Sequence, residues 1–124
     1  MAALALVVAL AALLRMGWPG LTEFKQDEAH LYGLSLHLAE LKAFPLLGIT
    51  SSVGLPNAPA SVYLFALPLF AWKSPLAATL FVGALNTASV ALAYLLARRY
   101  WGKQTALFGA LLYAAAPSAV IWAA

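Results

Sequence analysis

An all-α integral membrane chain is the fold class this sequence predicts, on three observations. Hydrophobic residues make up 65% of the 124 residues and charged residues only 9%, where an ordinary soluble domain carries roughly a quarter charged. The mean hydropathy is +0.90. The apolar residues also fall in long runs broken by Pro, Gly and charges, the pattern of spanning helices and their connections. Three spanning helices are expected, over about 2–18, 76–97 and 104–124, with surface or re-entrant helices between the first two. The net charge of +3 is scattered along the chain, which excludes the clustered basic face of a nucleic-acid binder. The chain has no cysteine, so disulfides and thiolate metal sites are excluded as well.

The first segment is an unbroken Ala/Leu/Val run from Ala2 to Leu14, followed by Arg15, Met16, Gly17, Trp18 and Pro19. A helix through Trp18 is just long enough to span if Arg15 snorkels to the interface, with Trp18 in the aromatic belt and Pro19-Gly20 as its stop. A signal peptide is the competing reading; it lacks a basic start and a convincing cleavage site.

From Asp27 to Lys42, Leu31, Leu34, Leu38 and Leu41 recur at helical spacing among His30, His37, Glu40 and Lys42. This predicts an amphipathic helix over 27–42, too polar to span and suited to a membrane surface. Phe44 to Pro59, rich in Pro, Gly and Ser, reads as an irregular loop. The apolar stretch 60–72 reaches only about 20 Å as a helix. It therefore reads as re-entrant or interfacial, with a full span as the alternative. Leu76–Leu96 is full length, and Pro75 fits its first turn. Arg98-Arg99-Tyr100-Trp101-Gly102-Lys103 reads as a tight basic turn before a last segment that contains Pro117. The chain stops in an apolar run, Ile121 to Ala124, and reads as the amino-terminal fragment of a longer protein. The density of basic residues in 98–103 puts that turn in the cytoplasm, although 15–73 holds basic residues too, spread over a longer loop. The acidic loop is then extracytoplasmic.

Chemistry points to one place. The sequence has four acidic residues, and Glu23, Asp27 and Glu28 stand together just after the first apolar segment. Carboxylates near a bilayer are tolerated where they face water or a polar cavity. Asp27 and Glu28 are candidates for proton transfer, or for simple helix capping through an Asp N-cap and a Glu in the first turn. Arg15 is a candidate to meet either carboxylate or a lipid phosphate, or to anchor at the interface. His30 and His37 lie two helical turns apart and lack the tight spacing of zinc sites, so interfacial hydrogen bonding is expected. Tyr63 and Trp72 read as belt aromatics, Asn86 as a bond to a neighbouring helix, and Ala106, Ala110 and Ala114 as a packing stripe.

In order, these features resemble the start of the polyprenyl-phosphate-sugar-dependent membrane glycosyltransferases of GT-C type. That family includes the dolichyl-phosphate-mannose protein mannosyltransferases and the bacterial lipid A aminoarabinose transferases. The matching features are the apolar first helix ending in Arg15, Asp27-Glu28-Ala29 with an aromatic after it, and the Pro-containing loop. The segment holding Tyr63, the helix ending Leu95-Leu96-Ala97-Arg98-Arg99-Tyr100-Trp101-Gly102, and Ala114-Ala115-Ala116-Pro117-Ser118 follow in turn. The similarity covers nearly all of this chain but only about the first quarter of such an enzyme. Where the family often has a Pro-Pro pair, this chain has Pro56-Asn57-Ala58-Pro59, a departure that bears on local loop contacts.

The resemblance implies inverting transfer of a sugar from a polyprenyl-phosphate-linked donor to a lipid, glycan or protein acceptor. The reaction belongs at the extracytoplasmic face of a bacterial inner or plasma membrane. It makes Asp27 the catalytic base, with Glu28 and Arg15 as substrate-binding or supporting residues. No cofactor is expected in this stretch, and the resemblance leaves room for a divalent metal in the full-length enzyme. The alternative from another class is a piece of a multi-spanning transporter or permease whose acidic loop has no catalytic role. A third reading is a small structural membrane protein.

Overall fold

The computed structural model describes residues 2–19, 25–117 and 120. Four helices form among them: α1 (Ala2–Met16), α2 (Gln26–Ala39), α3 (Ala60–Ala71) and α4 (Pro75–Ala115). No strand occurs among the described residues, so the chain is all-helical. Among the described residues one helix, α4, is long and apolar enough to cross a membrane, while α1 and α3 are shorter apolar helices. Two compact units arise: Met1–Thr22 with Val82–Ala124, and Glu23–Phe81.

In the first unit, α1 ends at Met16, so Gly17 and Trp18 lie beyond it and the expected helix through Trp18 is shorter than read. The expected turn at 98–103 contracts to a single residue. Gly102 takes φ 79° and ψ 173°, and helix continues on both sides of it, giving arms 75–101 and 103–115. That backbone region is essentially reserved for glycine. The arms fold back on one another, with the Ser89 and Tyr113 hydroxyls 2.9 Å apart. Ala106, Ala110 and Ala114, the small-residue stripe, are buried with Val90, Tyr94, Val7 and Ala11. Small side chains let the backbones approach closely. The expected last span ran to 124; residues 118, 119 and 121–124 lie outside the described residues. Leu92, Leu95, Leu96 and Leu112 point outward and are exposed.

Ser74, not singled out from sequence, starts α4. Its hydroxyl accepts from the Leu76 N–H at 3.3 Å and its carbonyl from the Ala77 N–H at 3.0 Å, which leaves Pro75 in the first helical position as expected.

In the second unit the expected helix 27–42 runs only to Ala39. The Leu41 N–H donates to the Leu38 carbonyl and the Lys42 N–H to the His37 carbonyl, each at 2.9 Å, with Leu41 at φ 56°. This is a Schellman stop with leucine where glycine is usual. Leu41 is consequently outside the helix and 83% exposed, so it does not join the leucine stripe.

The packing face of α2 also differs from that stripe. It is Tyr32, Ser35, Leu36 and Ala39, again at helical spacing, with Ser35 and Ala39 buried. The small pair admits α3: the Ser35 hydroxyl donates to the Val62 carbonyl at 3.0 Å, and Leu69 and Ala77 complete the cluster. Leu31 and Leu34 are half-buried and Leu38 is buried beside this face. Ser35→Leu should therefore destabilise this unit by about 1–3 kcal/mol through overpacking. Thermal unfolding of the purified protein reads this directly, and an unchanged melting temperature would argue against the α2–α3 contact.

The stretch expected to be irregular contains a hairpin. The Gly48 N–H donates to the Asn57 carbonyl at 2.8 Å and the Asn57 N–H to the Ile49 carbonyl at 3.0 Å, beside an antiparallel bridge of Thr50 with Pro56. A side chain on Gly48 would sit 2.7 Å from the Ala58 carbonyl oxygen, so the closure requires glycine.

Candidate functional site around Asp27

Asp27 and Glu28 open α2, and the helix terminus divides their roles. Lys25 is the N-cap, with an extended backbone at φ −77° and ψ 169°. Asp27 is the second helical residue, past the N-cap position that the capping reading assumed. Glu28, the third, accepts the Lys25 backbone N–H at 2.6 Å. A lysine ammonium cannot accept in return, so only the glutamate arm of a capping box exists here. The cap thus consumes Glu28. Asp27 is exposed, and no hydrogen bond or ion pair engages its carboxylate among the described residues. Both carboxylates sit in the first turn of α2, at the positive end of the helix dipole. Glu23 lies outside the described residues.

His30 and His37 are both on α2, and both are exposed. Among the described residues, no three His, Asp or Glu side chains converge closely enough to hold a metal ion. Beyond the end of α2, Lys42 bonds Glu40 at 2.6 Å. That hydrogen bond holds the Glu40 carboxyl below its ordinary range. Tyr63, read as a belt aromatic, instead braces the loop before α3. Its hydroxyl donates to the Pro45 carbonyl at 2.7 Å, and its ring stands 5.4 Å from that of Phe44. Trp72 is exposed just past α3.

Arg15 belongs to the first unit and is 2% exposed. Its guanidinium donates to the Ala114 carbonyl at 3.0 Å and the Tyr113 carbonyl at 3.1 Å, with a longer 3.5 Å contact to the Ala11 carbonyl. It also lies 5.7 Å from the centroid of the Tyr113 ring. The cause is readable in the chain. Pro117 has no N–H, so the carbonyl four residues earlier, Tyr113, loses its helical donor. Arg15 supplies that donor and places a positive charge at the negative end of α4. Its Nε is buried with no partner among the described residues. A contact with a lipid phosphate would require these bonds to be given up, so the geometry favours a supporting role over a binding one.

The polar residues of the long helix are bonded locally. The Asn86 amide donates to the Val82 carbonyl at 3.1 Å rather than to a neighbouring helix, and the Thr87 hydroxyl donates to the Gly83 carbonyl at 2.8 Å. Ser89, to which no pattern in the sequence points, is the residue that reaches the other arm. No family model, curated protein or solved structure matches this sequence.

Proposed function

We propose that this chain is the amino-terminal part of a multi-spanning GT-C-type glycosyltransferase that takes its sugar from a polyprenyl-phosphate donor. The reading rests on the ordered resemblance. One structural observation carries its chemistry: the helix start spends Glu28 on capping and leaves the Asp27 carboxylate exposed and, among the described residues, unengaged. A general base needs that freedom, since it must reach the proton it removes. In the reaction the acceptor hydroxyl gives its proton to Asp27. Its oxygen attacks the anomeric carbon opposite the lipid phosphate. The bond from that carbon to the phosphate oxygen breaks, and the phosphate departs with the electron pair. Configuration inverts, and no protonated leaving group is needed because the phosphate is already a stable anion. Glu28 is a positioning residue that fixes the first turn of α2. A divalent ion in the full-length enzyme would need ligands besides Asp27 and Glu28, and no step is assigned to one.

The transporter alternative draws less support. Asn86 and Thr87 would be its polar site within the span, and both are occupied by carbonyls of their own helix.

The active loop belongs outside the cytoplasm and the basic residues Arg98, Arg99 and Lys103 inside. This chain has no cysteine, so in a background with any downstream cysteine replaced, an impermeant thiol reagent on intact cells should label His30→Cys and spare Lys103→Cys. The reverse pattern would move the Asp27 loop to the cytoplasm and defeat an extracytoplasmic transfer. The transfer assay itself uses the full-length protein in nanodiscs with a purified polyprenyl-phosphate sugar. Absence of any sugar transfer to lipid, glycan or protein acceptors would overturn the assignment.

A further inference from the structure

The hairpin at 48–57 and the two residues before it expose apolar side chains that nothing in their own unit covers. Leu46, Leu47, Val53 and Leu55 are 76%, 58%, 78% and 67% exposed. Phe44, next to this group, is exposed as well. We propose that this hairpin inserts into the interfacial layer of the lipid bilayer and seats the second unit on the membrane. The inference rests on the membrane reading of the chain and is independent of whether it transfers sugar.

Three features favour lipid over a protein partner. No charged residue occurs between Lys42 and Lys73, an uncharged stretch that takes in the whole hairpin and α3. Each end of that stretch carries an aromatic just inside its lysine, Phe44 after Lys42 and Trp72 before Lys73. All four side chains are exposed. Lysine outside and aromatic inside is the arrangement that sits at headgroup depth. Lys42 also holds Glu40, so the one carboxylate near that end is neutralised by an ion pair.

The second feature is the backbone. Lipid penalises unpaired N–H and C=O groups. Here the amides of Gly48, Ser51, Gly54 and Asn57 donate within the hairpin, to Asn57, Leu55, Ser51 and Ile49 respectively; the other hairpin amides make no such bond among the described residues, which keeps the tip at headgroup depth, where water and headgroups can pair them. Pro56 has no amide to leave bare. The turn closes through Gly54 at φ 79°, which presents Val53 and Leu55 on either side of it. The third feature is bracing: the Tyr63 hydroxyl on Pro45 and the Phe44–Tyr63 ring contact tie the hairpin base to α3. A braced apolar tip enters a bilayer without an ordering cost of its own.

This chain has no cysteine, so the test is direct once any downstream cysteine is replaced. Single variants Val53→Cys, Leu55→Cys, His30→Cys and Leu92→Cys of the full-length protein carry an environment-sensitive NBD probe. They are placed in phosphatidylcholine–phosphatidylglycerol nanodiscs with or without doxyl-labelled lipid. Probes at Val53 and Leu55 should be blue-shifted and quenched by shallow doxyl lipid, the His30 probe by aqueous iodide, and the Leu92 probe by deep doxyl lipid. Iodide quenching without doxyl quenching at Val53 and Leu55 would show a wet hairpin and overturn the proposal. A blue shift that no doxyl lipid quenches would show a protein cover, which also overturns it. Loss of lipid quenching at Leu92 as well would sink the membrane reading itself, so the two failures are told apart.

Discussion

Asp27→Asn is expected to lower sugar-transfer turnover by about 10²–10⁴-fold, the range attributed to a positioned general base. Expression and melting temperature should stay close to wild type. The structural argument for separating the two effects is the division of labour at the start of α2. Asp27 is exposed and unbonded among the described residues, so an isosteric amide removes no partner. Glu28 does the capping through the Lys25 N–H. Glu28→Ala should therefore cost stability, about 1 kcal/mol for a lost cap, with a smaller fall in turnover. Glu28→Gln, which can still accept that N–H, should recover most of both. The measurement is transfer from a purified lipid-linked donor in nanodiscs, with melting curves recorded on the same preparations. Near-normal turnover of the Asn variant would end the catalytic role of Asp27. The opposite pattern, with Asp27→Asn unstable and Glu28→Ala neutral, would mean the cap is misassigned.

A large stability effect is also expected at Arg15. Replacing it with Met keeps much of the length and apolar bulk of the side chain but leaves the Tyr113 and Ala114 carbonyls without their guanidinium donor. A buried acceptor left unpaired costs about 1–3 kcal/mol. Releasing a buried charge from its desolvation penalty offsets part of that. The unpaired carbonyls dominate here, because the guanidinium also gains from the negative helix end and the Tyr113 ring. A net loss of about 2 kcal/mol is expected on this balance. Pro117→Ala supplies the N–H that Tyr113 lacks, so it should be worth more in the Arg15→Met background than in wild type. That inequality is the diagnostic part of the double-mutant cycle. Arg15→Met with unchanged stability and a raised KM for the donor would instead place Arg15 at a lipid phosphate.

Much of the architecture was legible in the residue order. Hydropathy runs and their breakers marked where helices occur, because apolar periodicity and Pro or Gly interruptions act locally. Pro75 opened its helix, the 60–72 stretch proved to be a short helix, and the Ala106, Ala110, Ala114 stripe proved to be a packing seam. The two adjacent carboxylates could be placed near a helix start, since acidic residues favour that end.

Tertiary structure decided what local rules leave degenerate. Four leucines at helical spacing named one face of α2, yet the face that packs is Tyr32, Ser35, Leu36 and Ala39, because only its small residues admit the α3 backbone. Neither the hairpin at 48–57 nor the Ser35 bond to Val62 has a strong periodic signal: the hairpin pairs residues three to nine apart through irregular turns, and Ser35 depends on a partner 27 residues away. Arg15 shows the division most clearly. Its charge and position after an apolar run suggested an interface or a phosphate. The donor missing at Pro117, at the far end of the chain, is what draws it inward. Composition favours helices, since long apolar runs leave the backbone few competing hydrogen-bond partners outside its own helix. The cap at Glu28 is local, three residues from Lys25, whereas which carbonyls claim the arginine is set only when distant helix ends meet.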